Sequence, residues 1–199
     1  KSTYSDKTNN KNSLIFSLAQ RYYGDEEVVS DTANTDFETR RKYSDIAASL
    51  DIAINDFISN TIIQYDPKSS SITKTEASFS YVPHPRKFIS LNYVGNGDSD
   101  DGDIKLSGAY PISNRMHIFA GIDKSLSSGV INKETTGVAY ESCCWAARIA
   151  HFKEAFEDDI PNYDYSTGFE LVFKGLGTID SKLRNHIEDN LPKYKVILD

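Results

Sequence analysis

Cys143 and Cys144 stand side by side and are the only cysteines in the sequence. Four chemistries compete for them: a vicinal disulfide, metal ligation, a reactive thiol, and two separate bridges to cysteines outside this chain. A vicinal bridge closes a strained ring and is rare. Zinc needs further Cys or His at ligand spacing, and His84, His117, His151 and His186 are scattered. In an oxidising compartment such as the periplasm, bridges to absent partners become the leading reading.

The remaining chemical groupings are weaker. No G-x-S-x-G nucleophile motif occurs, and His117 with Asp123 reads as polar lining rather than an acid–base pair. Gly95-Asn96-Gly97 serves a turn, because no helix follows it to cradle a phosphate. Asp98–Asp103 is rich in carboxylates, which hard cations favour, but it lacks EF-hand spacing and reads as a solvated loop. No cofactor, no metal and no enzymatic activity are expected.

What positions these residues follows from charge and hydropathy. A net charge of −7 and a pI near 5.1 argue against a nucleic-acid partner, since phosphate binding needs a basic surface. Arg40-Arg41-Lys42 is the one basic cluster; it follows Asp25-Glu26-Glu27 and reads as a solvated loop. With 39% hydrophobic residues, a mean hydropathy of −0.48 and no apolar run near the ~18 residues of a membrane helix, helical spanning is excluded. A transmembrane β-barrel is not, because only alternate residues then face lipid. The 199 residues suffice for about ten tilted spanning strands of ~9–11 residues. An outer-membrane protein requires a signal peptide and none is seen, so the chain is expected to start after processing or to be a fragment.

Strict alternation marks the strands. In Ser44–Ile54, Ile46, Ala48, Leu50, Ile52 and Ile54 oppose Asp45, Ala47, Ser49, Asp51 and Ala53. The same pattern returns at Ile104–Tyr110, at Met116–Ile122, and at Phe169, Leu171 and Phe173 opposite Gly168, Glu170, Val172 and Lys174. Ten strands are expected, at about 13–23, 43–55, 57–66, 71–82, 87–95, 103–111, 115–126, 133–143, 144–155 and 164–175. Tight turns at Asn55-Asp56, Pro83–Arg86, Pro111–Asn114 and Ser142–Cys144 alternate with longer polar connections at Gly24–Lys42, Gly95–Gly102, Ser127–Lys133 and Glu157–Tyr163. Such sorting suits an outer-membrane barrel with its short turns in the periplasm. A soluble β-sandwich binding module and a stand-alone ten-stranded outer-membrane enzyme are the rivals. After Gly175, residues 180–191 read as a short helix on the periplasmic side, with Leu183, His186, Ile187 and Leu191 on one face and Pro192 as its stop.

Gly108-Ala-Tyr-Pro-Ile-Ser-Asn-Arg115, Gly137-Val-Ala-Tyr-Glu-Ser-Cys-Cys-Trp-Ala-Ala-Arg148, Tyr165-Ser-Thr-Gly-Phe-Glu-Leu-Val-Phe-Lys-Gly175 and Ile187–Tyr194 occur in this order. Together they resemble the C-terminal barrel region of the LptD family of lipopolysaccharide-assembly outer-membrane proteins. The resemblance is strong over about 104–194 and rests on strand pattern over 13–95. It implies an all-β antiparallel transmembrane barrel, present here as its second half: an incoming segment (1–12), barrel strands (13–175) and a periplasmic C-terminal tail (176–199). It further implies lipopolysaccharide insertion into the outer leaflet of the bacterial outer membrane, the sugar passing through the lumen and the lipid leaving between first and last strands. The implied partners are lipopolysaccharide, the plug lipoprotein LptE, the periplasmic bridge protein LptA and the barrel-assembly machinery.

The residue roles follow from the same resemblance. Tyr165, Ser166, Gly168, Phe169, Leu171 and Phe173 fall on the last strand, which would serve first as assembly signal, then as gate. Cys143 and Cys144 would each bridge to the N-terminal part of a longer protein. The inward parity supplies candidate lumen contacts at Asp45, Asp51, Lys105, Asp123, Glu141, Arg148, Glu170 and Lys174, whose mixed charge can solvate a saccharide without gripping it.

Overall fold

The computed structural model describes residues 2–5, 12–30, 38–97, 101–156, 162–173 and 182–194, with the side chains of 2–5, 24–30 and 38–42 left aside. Its strands are β1 (Ser2–Ser5), β2 (Ser13–Ala19), β3 (Tyr22–Ser30), β4 (Glu38–Tyr43), β5 (Ile46–Ile54), β6 (Phe57–Asp66), β7 (Ser71–His84), β8 (Lys87–Asn96), β9 (Gly102–Pro111), β10 (Met116–Ser125), β11 (Ile131–Glu141), β12 (Trp145–Ala155) and β13 (Tyr163–Phe173), followed by helix α1 (Lys182–Asn190). Eleven strands form one antiparallel sheet in the order β1-β2-β5 through β13, each sequential neighbour pairing with the next. From β8 onward the strands are 10 or 11 residues long, which matches the ~9–11 residues of a tilted membrane-spanning strand.

The expected strands are present, with three differences at the start. The expected strands 13–23 and 43–55 break at residues 20–21 and 44–45, where Ser44 Oγ accepts from the Arg21 amide and the Ser44 amide donates to the Arg21 carbonyl. Beyond that clasp the described residues of the expected loop Gly24–Lys42 are strand: β3 and β4 pair as a separate two-stranded sheet that carries Arg40, Arg41 and Lys42 on a strand. The β-branched pair Val28-Val29 is the sequence signal for it. Short β1 also adds itself to β2 ahead of the first expected strand.

Which face is apolar decides the class of the sheet. Apart from Ile58 and Val94, the large apolar side chains left exposed on the described strands of the main sheet belong to one parity: Ile89 is 56% exposed, Tyr110 59% and Phe169 68%, and Leu14, Leu50, Leu106, Ile118 and Leu171 lie with them. A soluble sandwich would bury that parity in its core; here it faces out, as it does in a barrel wrapped by lipid. Aromatic rings collect at both rims of this face. Tyr81, Tyr110, Tyr140 and Trp145 stand near the short turns, and Tyr65, Tyr93, Tyr163 and Tyr165 stand near the opposite ends. Tyr140 and Trp145 touch with ring centroids 5.1 Å apart.

The opposite face is polar and carries the small core. One of its registered rows sets two phenylalanines among small residues. Phe88, Ala109, Phe119, Gly137, Ala150 and Gly168 are successive cross-strand partners from β8 to β13. The Phe119 ring lies over Gly137 and takes the space a side chain there would need. Onto this row α1 and the following turn lay Ile187, Leu191 and Tyr194, which are 0%, 0% and 2% exposed. Burying such side chains contributes about 1.5–3 kcal/mol each, enough to hold a nine-residue helix that has little stability alone.

The helix itself forms where expected. It packs on the polar face of β9–β13, level with Gly168 and Gly121, because Leu183, Ile187 and Leu191 need apolar cover and that row supplies it.

Candidate functional site

The candidate site is the polar face together with β13, the edge strand of the sheet. Register places Asp51, Asn60, Ser78, Asn92, Lys105, Asp123, Lys133 and Glu154 in a single row of cross-strand partners from β5 to β12. Three of the expected lumen residues, Asp51, Lys105 and Asp123, are therefore neighbours along one polar stripe. Asp51 accepts a hydrogen bond from Asn60. Lys105 reaches the Asp189 carbonyl at 3.4 Å, tying β9 to the end of α1. Asp45 sits just before β5 and accepts from the Thr73 hydroxyl at 2.8 Å.

The other expected polar residues form buried pairs. Arg148 on β12 and Glu170 on β13 are direct register partners, their charged atoms 2.5 Å apart, and Arg148 is 1% exposed. Glu141 at the end of β11 is paired with Arg86, from the turn after β7. Each charge so placed would cost several kcal/mol unpaired, which explains why both come with a partner of opposite sign. Lys174, the last of the expected set, lies outside the described residues.

The expected gate residues divide cleanly between the faces of β13. Tyr165, Phe169, Leu171 and Phe173 lie on the apolar face, whereas Ser166 and Gly168 share the polar face with Glu170. Among the described residues β13 pairs with β12 alone, so its other edge offers free backbone groups. Gly168 has a use that the sequence does not disclose. A Cβ there would run into the Leu183 side chain, so the glycine is the socket in which α1 seats its first leucine.

Sequence reasoning also missed several contacts of the tail. Tyr194 and His117 share a 2.6 Å hydrogen bond, with both side chains buried. Burial pushes the Tyr194 phenol above its ordinary pKa range, so it stays neutral. His186 packs edge-on against Phe152 and lies 3.3 Å from Glu154. No local signal announces these contacts, since the partners are far apart in sequence. His117 is thus held by a tyrosine and is not joined to Asp123.

Cys143 and Cys144 are exposed in the turn between β11 and β12, both as thiols, with sulfurs 2.7 Å apart. The hydrogen bond with Cys144, followed by that from Ser142, holds the Cys143 thiol below its ordinary pKa. A thiol with more thiolate character at neutral pH is suited to disulfide exchange. Among the described residues no group of His, Cys, Asp or Glu gathers as a metal site, and the carboxylate-rich loop lies partly outside them.

A family described as LptD, LPS transport system D, matches residues 1–116, more than half of the chain. The chain belongs to the LptD family. That match falls on the first half, where the resemblance rests on strand pattern, and relatives extend it across the rest. An LPS-assembly protein LptD of Shewanella frigidimarina is 30% identical over 192 residues, covering 86% of this chain and 25% of the relative. The LPS-assembly proteins LptD of Azoarcus sp. BH72 and Burkholderia lata are 26% and 24% identical, covering 92% and 90% of the chain. The chain thus spans about a quarter of the length of the curated relatives it matches. LptD membership and the outward apolar face place this sheet in the outer membrane as part of a β-barrel.

Proposed function

We propose that this chain is the C-terminal part of an outer-membrane translocon that inserts lipopolysaccharide into the outer leaflet. In this reading residues 13–175 are barrel strands, the polar stripe lines the lumen through which the sugar chain passes, and the lipid leaves sideways along β13. The observation that carries the reading is β13 itself, a strand with one edge unpaired among the described residues, a lipid-facing row of Phe169, Leu171 and Phe173, and a polar row of Ser166 and Glu170. A molecule with a greasy half and a sugar half meets both solvents at that one strand. Chemistry of this kind needs passage, not bond cleavage, and the charged stripe from Asp51 to Glu154 solvates hydroxyls without a deep grip.

Family membership supports the partners that go with this activity: the plug lipoprotein LptE, the periplasmic bridge protein LptA, and the barrel-assembly machinery, which would read β13 by strand addition. Cys143 and Cys144, exposed at the short-turn end, would bridge to the N-terminal part of the full protein and so align bridge with lumen.

The test uses the full-length protein in cells. A cysteine at Phe169 is cross-linked to one on the strand that β13 meets in the closed barrel, and lipopolysaccharide reaching the surface is measured. Delivery stops when the seam is locked and returns on reduction. Normal delivery through a locked seam would overturn the lateral route.

A further inference from the structure

Two glycines of the polar face are matched by two leucines of the C-terminal segment. Gly168 on β13 receives Leu183, whose side-chain atoms occupy the space of a Cβ. Leu191 rests on Gly121 of β10 more loosely: a Cβ there would lie in ordinary contact, 3.5 Å from Leu191 Cγ and 3.5 Å from the Asn190 carbonyl oxygen. Between these sockets His186 packs edge-on against Phe152 of β12, and beyond them Tyr194 bonds His117 and packs on Phe119 of β10 at 5.0 Å between centroids. The short helix and the turn after it therefore touch β13 at the first helical turn and β9, β10, β11 and β12 along the rest.

We infer that α1 is a brace that holds the closing strand in its sealed position, and that seam opening requires one of its two glycine sockets to release. A β-sheet edge flexes easily because each strand is held by one neighbour on one side. A rod docked across five strands removes that freedom, since β13 cannot swing outward without drawing Leu183 from Gly168 or Leu191 from Gly121. The two sockets differ in what surrounds them. The Leu191 end is secured by buried Tyr194 and its hydrogen bond, whereas Leu183 is only partly buried at the outermost strand. The Gly168 socket is accordingly the one that releases. The brace regulates the seam and rests on the translocon reading above.

The experiment staples both sockets in the full-length protein: Gly168→Cys with Leu183→Cys, and Gly121→Cys with Leu191→Cys. Cys143 and Cys144 keep their native state, and staple formation is checked by mass spectrometry. With both staples oxidised, surface delivery of lipopolysaccharide falls at least fivefold and recovers on reduction. Leu183→Asp, which empties the Gly168 socket while Tyr194 keeps the tail attached, raises outer-membrane permeability to a large antibiotic at least fourfold. Delivery at the unstapled rate with both staples formed overturns the brace, as does unchanged permeability when hydrogen exchange shows α1 released. The two readings fail separately. If locking the seam directly stops delivery but the staples do not, only the brace falls; if the locked seam delivers normally, the lateral route falls first.

Discussion

The Tyr194 phenol and His117 Nε2 lie 2.6 Å apart, with both side chains buried, and this bond fastens the described end of the chain to the polar face of β10. Tyr194→Phe leaves the imidazole nitrogen unpaired, at a cost of about 1–3 kcal/mol. Amide hydrogen exchange over residues 182–194 is expected to quicken accordingly. Because the folded state raises the phenol's pKa, this support is complete below the unfolded value of about 10 and fades as pH rises through the folded value. Exchange that stays the same in the variant at neutral pH would show that the bond does not hold the tail.

Gly168→Ala puts a methyl group where Leu183 sits and should loosen α1. Leu183→Ala loosens it too, by removing apolar contact. The double variant should be better docked than the sum of the single effects predicts, because the added methyl fills space the shortened side chain vacates. Strict additivity in hydrogen exchange would mean that the two side chains do not share a socket.

Arg148→Met strands the Glu170 carboxylate against a buried surface, and the loss expected for breaking such a pair is about 3–5 kcal/mol. Arg148→Met with Glu170→Leu removes both charges and should recover most of that loss. Thermal unfolding of the purified full-length barrel in detergent measures all three proteins. A double variant as unstable as the single one would indicate that the pair contributes more than mutual neutralisation.

Cys143 and Cys144 are expected to be bridged in the full protein to its N-terminal part, so reduction should uncouple the two. Replacing both by serine should change mobility on a non-reducing gel, and each single replacement should change it by a different amount. Identical mobility for the native protein and the double variant refutes the bridges.

The sequence by itself determined the strands and their faces. Side chains alternate with a period of two along a strand, so Asp51, Lys105, Asp123, Arg148 and Glu170 had to share one face once the parity of each strand was read. The register that lines them up follows from short turns such as 55–56 and 85–86, which leave little freedom to slip. The helix was legible too, from the spacing of Leu183, Ile187 and Leu191. What only the tertiary structure decided is where that helix goes, and with it the meaning of the glycines. Nothing local marks Gly168 as more than a strand residue, and it is a socket because a segment distant in sequence folds back upon it. The direction of the apolar face was also decided there: alternation is the same whether the greasy parity points inward or out, and only the exposed Ile89, Tyr110 and Phe169 show which solvent this sheet was built to meet.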